Sequence, residues 1–308
     1  STITNMSDRQ PENAVEFRDL TKYYGDSLGV ANLSFSVEPG EVFGFLGPNG
    51  AGKTTAIRIL MGLITPTSGE AFVHGENVVA ADPSYRQDIG YLPGAFSPYR
   101  NMTGGEFLKF LSQMRSLDCS EYFNELAKRF DLDLSRPISA LSKGNRQKLG
   151  VVQAFMHKPS VLILDEPTGG LDPLVQHEFE KLLSEAKAWG AAIVLSSHIL
   201  SEVEHLADRV AILHLGRMLV VEHISILKQQ AVRTISVSLN QPATSADFAN
   251  VTGIDSMRIH GNRVTCNVTG EVTQFLEVIV KFGVESIQTT EPSLEEIFLS
   301  LIPQGVVA

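Results

Sequence analysis

One nine-residue segment constrains the fold more than any other part of the sequence. It runs from Gly47 to Thr55, reads GPNGAGKTT and satisfies the pattern G-x-x-x-x-G-K-[ST]. An apolar run, Val42 to Leu46, leads into it, and the helix-forming residues Ala56 to Leu60 follow. A strand, a glycine-rich turn and a helix N-terminus in this order surround an anion with backbone N–H groups. The segment therefore predicts an α/β domain that binds phosphate groups.

The residues of this loop have separate expected tasks. We expect Lys53 to reach the β and γ phosphates of a nucleotide, the Thr54 hydroxyl to ligate Mg²⁺, and Thr55 to support the α phosphate. The other members complete the predicted nucleotide-binding loop, and they are Gly47, Pro48, Asn49, Gly50, Ala51 and Gly52.

A second apolar run, Val161 to Leu164, ends in two acids, Asp165 and Glu166. A strand that ends in this way places carboxylates at the carboxyl edge of the sheet, where α/β proteins bind ligands. We expect Asp165 to hold Mg²⁺, through water, and Glu166 to orient or deprotonate an attacking water. Adjacent acids at a strand end can also form an ordinary exposed turn, but the phosphate loop favours the catalytic interpretation.

Composition excludes several classes of protein. Lys and Arg number 25 against 35 Asp and Glu, so the net charge is −10, which argues against a nucleic-acid partner held by phosphate neutralisation. Cys119 and Cys266 lack ligand spacing and are read as free thiols in a reducing compartment. No apolar run approaches the roughly 18 residues that span a bilayer. We expect residues 1–14, which are polar, to be a flexible tail.

Apolar runs of strand length alternate with amphipathic segments of helix length through about residue 225. This alternation favours an α/β domain with a largely parallel sheet, which we place at residues 15–230. The strand signal fades between about 98 and 157, so we expect a helical insertion there. Its helices are predicted at residues 106–115, 120–130 and 143–157.

Residues 231–308 read as a second, small α+β domain. A strand at 235–239 and a short helix at 245–250 precede a hairpin at 254–268, whose turn signal is His260-Gly261-Asn262-Arg263. A helix at 272–282 and a strand at 284–289 follow. The order βαββαβ is typical of a ferredoxin-like or related domain. Ser293 opens a final helix with a capping-box pattern.

Taken together, the motifs resemble those of the ATP-binding-cassette (ABC) ATPases over about residues 15–225. The phosphate loop is followed by LSKGNRQ at 141–147, the Asp165–Glu166 strand, GLD at 170–172 and SSH at 196–198. The LSKGN run discriminates best, since many phosphate-loop enzymes lack it. The resemblance implies an ATPase that binds ATP and Mg²⁺, with Glu166, His198 and Lys53 as its catalytic residues.

The resemblance also implies the remaining site residues. Tyr24 would stack on adenine, with Tyr23 as the alternative. His198 would contact the γ phosphate, and Asp172 would link two sites across a dimer. The contacts to the nucleotide of the other protomer would come from Ser142, Gly144 and Asn145.

Three positions depart from the family pattern. Lys143 replaces a glycine and Asn145 a glutamine of the usual LSGGQ run; the Lys143 cation either faces the nucleotide or faces solvent. In IGYLPGAF at 89–96, Gly94 stands where the family usually has the glutamine that touches Mg²⁺ or the attacking water. Coupling to a permease would then fall to backbone movement and to Phe96 and Tyr99, unless these aromatics only pack against the helical insertion.

The ending EPSLEEIFLSL after a small α+β unit looks like the daunorubicin-resistance type of ABC ATPase. That resemblance implies a multidrug-type exporter subunit at the cytoplasmic face of the membrane, peripheral through a separately encoded permease. A homodimer is expected, a heterodimer is the alternative, and no nucleic-acid partner is expected. The rival interpretation is a soluble ABC ATPase that acts as a regulatory or ribosome-associated module.

Overall fold

The computed structural model describes residues 13–302, which divide into two units. The first unit ends at Val221 and the second begins at Glu222, earlier than the boundary after residue 230 that the sequence suggests. The predicted tail at 1–14 lies almost wholly outside the described residues. No helix in the described range is long and apolar enough to cross a membrane.

The larger sheet has the strand order β5-β4-β1-β2-β10-β9-β3-β8-β7-β6. The neighbours of β3, β7 and β8 within it pair in parallel, whereas β1 pairs antiparallel with β2 and β4. The strands are β1 (Val15–Tyr24), β2 (Ser27–Val37), β3 (Val42–Leu46), β4 (Ser68–Val73), β5 (Glu76–Asn77), β6 (Ile89–Leu92), β7 (Val161–Asp165), β8 (Ala192–Ser197), β9 (Arg209–His214) and β10 (Arg217–His223).

The parallel strands at the centre of this sheet are the apolar runs of the sequence. Every residue of β3, β7 and β8 is buried, as expected for strands covered on both faces. Because these strands are parallel, their carboxyl ends lie along one edge, and the loops that follow them meet there.

Six helices accompany the larger sheet among the described residues, and three of them, α2 to α4, form the predicted helical insertion. Thr103 caps α2 with a reciprocal bond to Glu106, so this helix begins before the predicted residue 106. The helices are α1 (Lys53–Leu60), α2 (Gly104–Met114), α3 (Ser120–Arg129), α4 (Lys143–Phe155), α5 (Pro173–Ala188) and α6 (Leu200–Leu206).

The second unit is built on a four-stranded antiparallel sheet with the order β12-β13-β11-β14. Its apolar face packs around Phe248, Phe275 and Ile279. The predicted short helix at 245–250 is a 3-10 turn, Ser245–Phe248, because Asp247 bonds back to Thr244 and closes a single tight turn. The elements are α7 (Ile224–Gln230), β11 (Arg233–Leu239), β12 (Ile254–His260), β13 (Arg263–Val268), α8 (Thr273–Val280), β14 (Val284–Thr290) and α9 (Leu294–Leu301).

Candidate nucleotide-binding site

The loops after four neighbouring strands, β3, β8, β7 and β6, bring the main motifs together. The phosphate loop, Asp165–Glu166 and the Gly94 turn line a cavity of about 600 Å³. The predicted site residues among its lining are Tyr24, Asn49, Gly50, Ala51, Gly52, Lys53, Thr54, Thr55, Gly94, Asp165 and Glu166.

The phosphate loop needs glycine at Gly52, which precedes α1. Its φ of 107° lies in a region that side-chain-bearing residues rarely adopt. A Cβ here would also lie 2.5 Å from the carbonyl oxygen of Gly29. The tight turn leaves the N-terminal N–H groups of α1 without helical partners, so they are available to an anion.

Lys53 places a buried cation inside this loop. Its side chain is 6% exposed, and its ammonium donates to the carbonyls of Gly47 and Pro48. Burial lowers the pKa of Lys53, and the nearby charges of Glu166 and Asp165 oppose that shift. The ion pair of Lys53 with Glu166 is long, at 3.9 Å, so a phosphate bound in the loop would supply a closer anionic partner for the buried ammonium.

Thr54 and Asp165 form an oxygen-rich corner beside Lys53. The Thr54 hydroxyl donates to Asp165 Oδ2 at 3.2 Å, and the Ser196 hydroxyl donates to Asp165 Oδ1. A hydroxyl and a carboxylate are ligands that Mg²⁺ prefers, and Mg²⁺ usually completes its shell with phosphate and water. The corner therefore fits the ion that the sequence predicts.

Glu166 and His198 meet at the ends of β7 and β8. His198 Nδ1 lies 2.8 Å from Glu166 Oε2, so the ring and the carboxylate fix each other's orientation. Glu166 has a φ of 53°, which is uncommon for a residue with a side chain and which turns its carboxylate into the cavity. A carboxylate beside the phosphate loop can accept a proton from water.

Tyr24, rather than its neighbour Tyr23, lines the cavity. Its hydroxyl lies 3.4 Å from that of Thr55, and its ring packs so closely on Gly29 that a Cβ there would be 3.0 Å from Cε2. The ring is therefore placed beside the loop that would hold the phosphates, where an aromatic face can meet a base.

The signature residues Ser142, Gly144 and Asn145 do not line this cavity. Ser142 caps α4 by accepting a bond from the Asn145 N–H at 3.1 Å. Lys143, which departs from the family pattern, extends its side chain beside the loop after β7: a Cβ placed on Gly170 would be 3.8 Å from Lys143 Cε.

Asp172 and His198 also lie outside the cavity lining. Asp172 caps α5 by accepting bonds from the N–H groups of Leu174 and Val175 at 3.1 Å each. A single chain therefore shows Asp172 as a helix cap, and its predicted contact with a second protomer stays a prediction.

The turn after β6 brings Gly94 against the oxygen-rich corner that Thr54 and Asp165 form. A Cβ at Gly94 would lie 3.1 Å from Asp165 Oδ2, which is the oxygen that also accepts from Thr54. Phe96 and Tyr99 both pack edge-on against Phe107 of α2, at centroid distances of 6.2 and 6.4 Å. Tyr99 is nevertheless 62% exposed, so it both packs on the helical insertion and presents a surface.

Sequence reasoning did not assign a role to three long polar side chains at the site. Arg58 and Tyr91 line the cavity, and burial, with the charge of Asp165, raises the pKa of Tyr91. Gln147, within the LSKGNRQ run, donates to the backbone carbonyls of Glu166 and Pro167. Strand alternation could have placed Tyr91 on the cavity side of β6, but the contact of Gln147 joins distant parts of the chain and has no local signal.

The fold and the site define a phosphate-loop protein that binds nucleotide at the carboxyl edge of a largely parallel sheet. A family profile described as "ABC transporter" matches residues 30–169. The chain is 34% identical to the bacitracin transport ATP-binding protein BcrA of Bacillus licheniformis, over 95% of this chain and 98% of that protein. The chain belongs to the ATP-binding proteins of ABC transporters.

Other similarities agree with this assignment. The Nod factor export ATP-binding protein I of Sinorhizobium fredii is 31% identical over 96% of this chain and 88% of its own length. A solved ATP-binding subunit of an ABC transporter has a TM-score of 0.64 at 32% identity, covering 70% of this chain and 92% of that one. A dimeric bacterial ABC transporter cassette, at 21% identity and a TM-score of 0.61 over 68% and 98%, shares the fold.

Proposed function

We propose that this chain is the ATP-hydrolysing subunit of an ABC exporter. The observation that carries the proposal is the Glu166 carboxylate, which lines the phosphate-loop cavity and lies 2.8 Å from His198. This pair provides a base next to the position that the γ phosphate of a nucleotide would take. The relatives that are named for bacitracin transport and Nod factor export support the assignment to transport.

In this proposal the chain's residues divide the work on ATP. Tyr24 stacks on the base, and the loop at 47–55, with its Lys53, holds the phosphates. His198 contacts the γ phosphate and orients Glu166. Glu166 accepts the proton of the attacking water. Thr54 and Asp165 hold Mg²⁺, which when bound offsets phosphate charge.

We propose further that two copies close head to tail over two ATP molecules. Ser142, Gly144 and Asn145 of one copy would then complete the site of the other, with Asp172 between the sites. The position of these residues outside their own cavity supports this arrangement, and a solved cassette with the same fold is dimeric. Closure of the dimer is the state that ATP binding would favour.

A separately encoded permease is the proposed partner, at the cytoplasmic face of the membrane. The proposal of the exporter subtype includes a ferredoxin-like second unit, and the strand order β12-β13-β11-β14, with the third strand between the first and the second, supports it. Between the first two strands of this unit the chain forms a 3-10 turn, Ser245–Phe248, where the proposed domain type would have a helix.

Replacement of the proposed base tests the function. We expect Glu166→Gln to lower steady-state ATP hydrolysis by about 100-fold or more, since general-base catalysis contributes on this scale. Binding of a fluorescent ATP analogue should stay unchanged, because the amide keeps the size of the carboxylate. Glu180→Gln on the exposed face of α5 is the matched control. Near-normal turnover in Glu166→Gln would remove this residue from the catalytic step.

A further inference from the structure

Gln147 joins helix α4 to the backbone of the proposed base. Its side-chain amide donates to the carbonyl oxygen of Glu166 at 3.2 Å and to that of Pro167 at 2.8 Å. Both bonds are partly buried, so water replaces them poorly. One side chain therefore spans two consecutive peptide groups at the residue whose carboxylate faces the cavity.

The backbone of Glu166 needs such support. Its φ of 53° is unfavourable for a residue with a side chain and persists only where neighbouring groups hold it. The Glu166 N–H donates to the carbonyl of Ser196 at 3.1 Å, and its carbonyl also accepts from the Gly169 N–H at 3.3 Å. His198 contacts the side-chain carboxylate of Glu166. Gln147 adds a contact to its backbone from the helical insertion.

The same helix begins at the signature. Ser142 caps α4, and Gln147 lies on its second turn. The first turn also lies against the loop after β7, because a Cβ at Gly144 would be 2.9 Å from the Gly170 carbonyl oxygen. Helix α4 thus contacts both ends of the segment from Glu166 to Gly170.

We propose that Gln147 is a positioning residue that holds Glu166 in the geometry for hydrolysis and transmits to it the position of the Ser142 end of α4. The proposal rests on the proposed function, in which Glu166 is the base and Ser142 meets the nucleotide of the other copy. Occupation of one ATP site would then adjust the base of the other through a rigid helix and a single amide. Binding of ATP itself does not depend on this contact.

Two substitutions separate donation from packing. Gln147→Leu keeps much of the volume and removes both donors, whereas Gln147→Lys keeps N–H donors on a flexible side chain. We expect Gln147→Leu to lower kcat about 10-fold with KM unchanged, since it weakens an interaction needed only for the chemical step. Gln147→Lys should retain more activity than Gln147→Leu.

Trp189→Phe is the matched control. It removes one side-chain N–H bond to a proline carbonyl, Trp189 Nε1 to Pro159 O at 3.1 Å, at the amino end of β7. Its kcat should stay at the wild-type value, and its loss of thermal stability should resemble that of Gln147→Leu. If Gln147→Leu does not fold, Gln147→Met takes its place in the comparison with Gln147→Lys, because methionine is unbranched, uncharged and without a donor.

The double variant Glu166→Gln with Gln147→Leu identifies the route. If Gln147 acts through Glu166, single-turnover hydrolysis by the double variant should equal that of Glu166→Gln alone. Wild-type kcat in Gln147→Leu, equal loss in the leucine and lysine variants, or additive losses in the double variant would each overturn the proposal. Turnover that survives in Glu166→Gln would instead overturn the proposed function, whatever the Gln147 variants do.

Discussion

Gly94 has no side chain at a position where a side chain would contact Asp165, in the oxygen-rich corner of the site. The Cβ position lies 3.1 Å from Asp165 Oδ2 and 3.3 Å from Asp165 Cγ. Gly94 does not have a positive φ, so its backbone conformation does not require glycine. The constraint is the contact with Asp165, which a side chain would crowd by a few tenths of an ångström. We infer that oxygen ligation here falls to Thr54 and Asp165.

Gly94→Gln should restore the missing ligand. We expect the Mg²⁺ concentration for half-maximal ATP hydrolysis to fall, because an added amide oxygen is a further ligand for a hard cation. Titration of ATPase activity with Mg²⁺ measures this change. Gly94→Ala brings the same Cβ contact without the amide and should not lower the requirement. An equal effect of both variants would show that crowding of Asp165, and not ligation, is responsible.

The site residues that could be predicted from motifs belong to short, continuous segments of the chain. The phosphate loop is continuous, so strand, turn and helix could be recognised together, and the structure places Asn49 to Thr55 at the cavity. Gln147 was missed because its contact with Glu166 and Pro167 depends on the packing of elements that are distant in the chain. Contacts of this kind leave no pattern in a single sequence.

At the scale of elements, helix α4 lies unusually close to strand β6. A Cβ at Gly90 would be 2.1 Å from the carbonyl oxygen of Ala154, and one at Gly150 would be 2.6 Å from Leu92 Cδ1. Two glycines, one on each element, therefore allow this approach. The approach matters for function because β6 leads into the Gly94 turn and α4 carries Gln147.

Gly90→Ala tests this packing. Because the methyl group would meet backbone as well as side chains, we expect a loss of about 3 kcal/mol or more in the free energy of unfolding, at the upper end for overpacked cores. Urea unfolding followed by the fluorescence of Trp189, the single tryptophan, measures it. Gly105→Ala on α2 is the control, since its nearest contact would be an ordinary 3.4 Å and alanine favours a helix. Equal stability of both variants would contradict the close approach.

Element types were easier to predict than element ends. The helices of the insertion follow from apolar spacing, but α2 begins two residues before the predicted Glu106 because Thr103 supplies the cap. Helix α4 ends at Phe155 instead of His157, and Lys158 then adopts a φ of 48° before Pro159. Capping and turn geometry decide these ends, and they depend on details finer than hydrophobic periodicity.

At the scale of the whole molecule, the folds of the two units were predicted from different features of the sequence. The first could be predicted from its motifs. The second was predicted from strand and turn patterns alone, and those patterns placed the boundary after residue 230, whereas the two compact units divide after Val221. The structure packs α7 against α9 instead, so it belongs with the second unit. Long-range packing, rather than local propensity, sets such a boundary.

The proposed permease partner gives the last prediction. Tyr99 packs edge-on against Phe107 and Phe110 of α2 and yet presents most of its surface, as an aromatic contact for a partner would. We expect this chain, isolated from detergent-solubilised membranes, to bring a multi-spanning membrane protein with it. Tyr99→Ala should reduce that recovery without lowering the ATPase activity of the isolated chain.

Val79→Ala, which trims an exposed apolar residue of similar accessibility beyond β5, is the control and should leave the recovery unchanged. A fall in melting temperature specific to Tyr99→Ala would assign the ring to packing on α2 and not to the partner. Recovery of ribosomes in place of a membrane protein would support the rival ABC module.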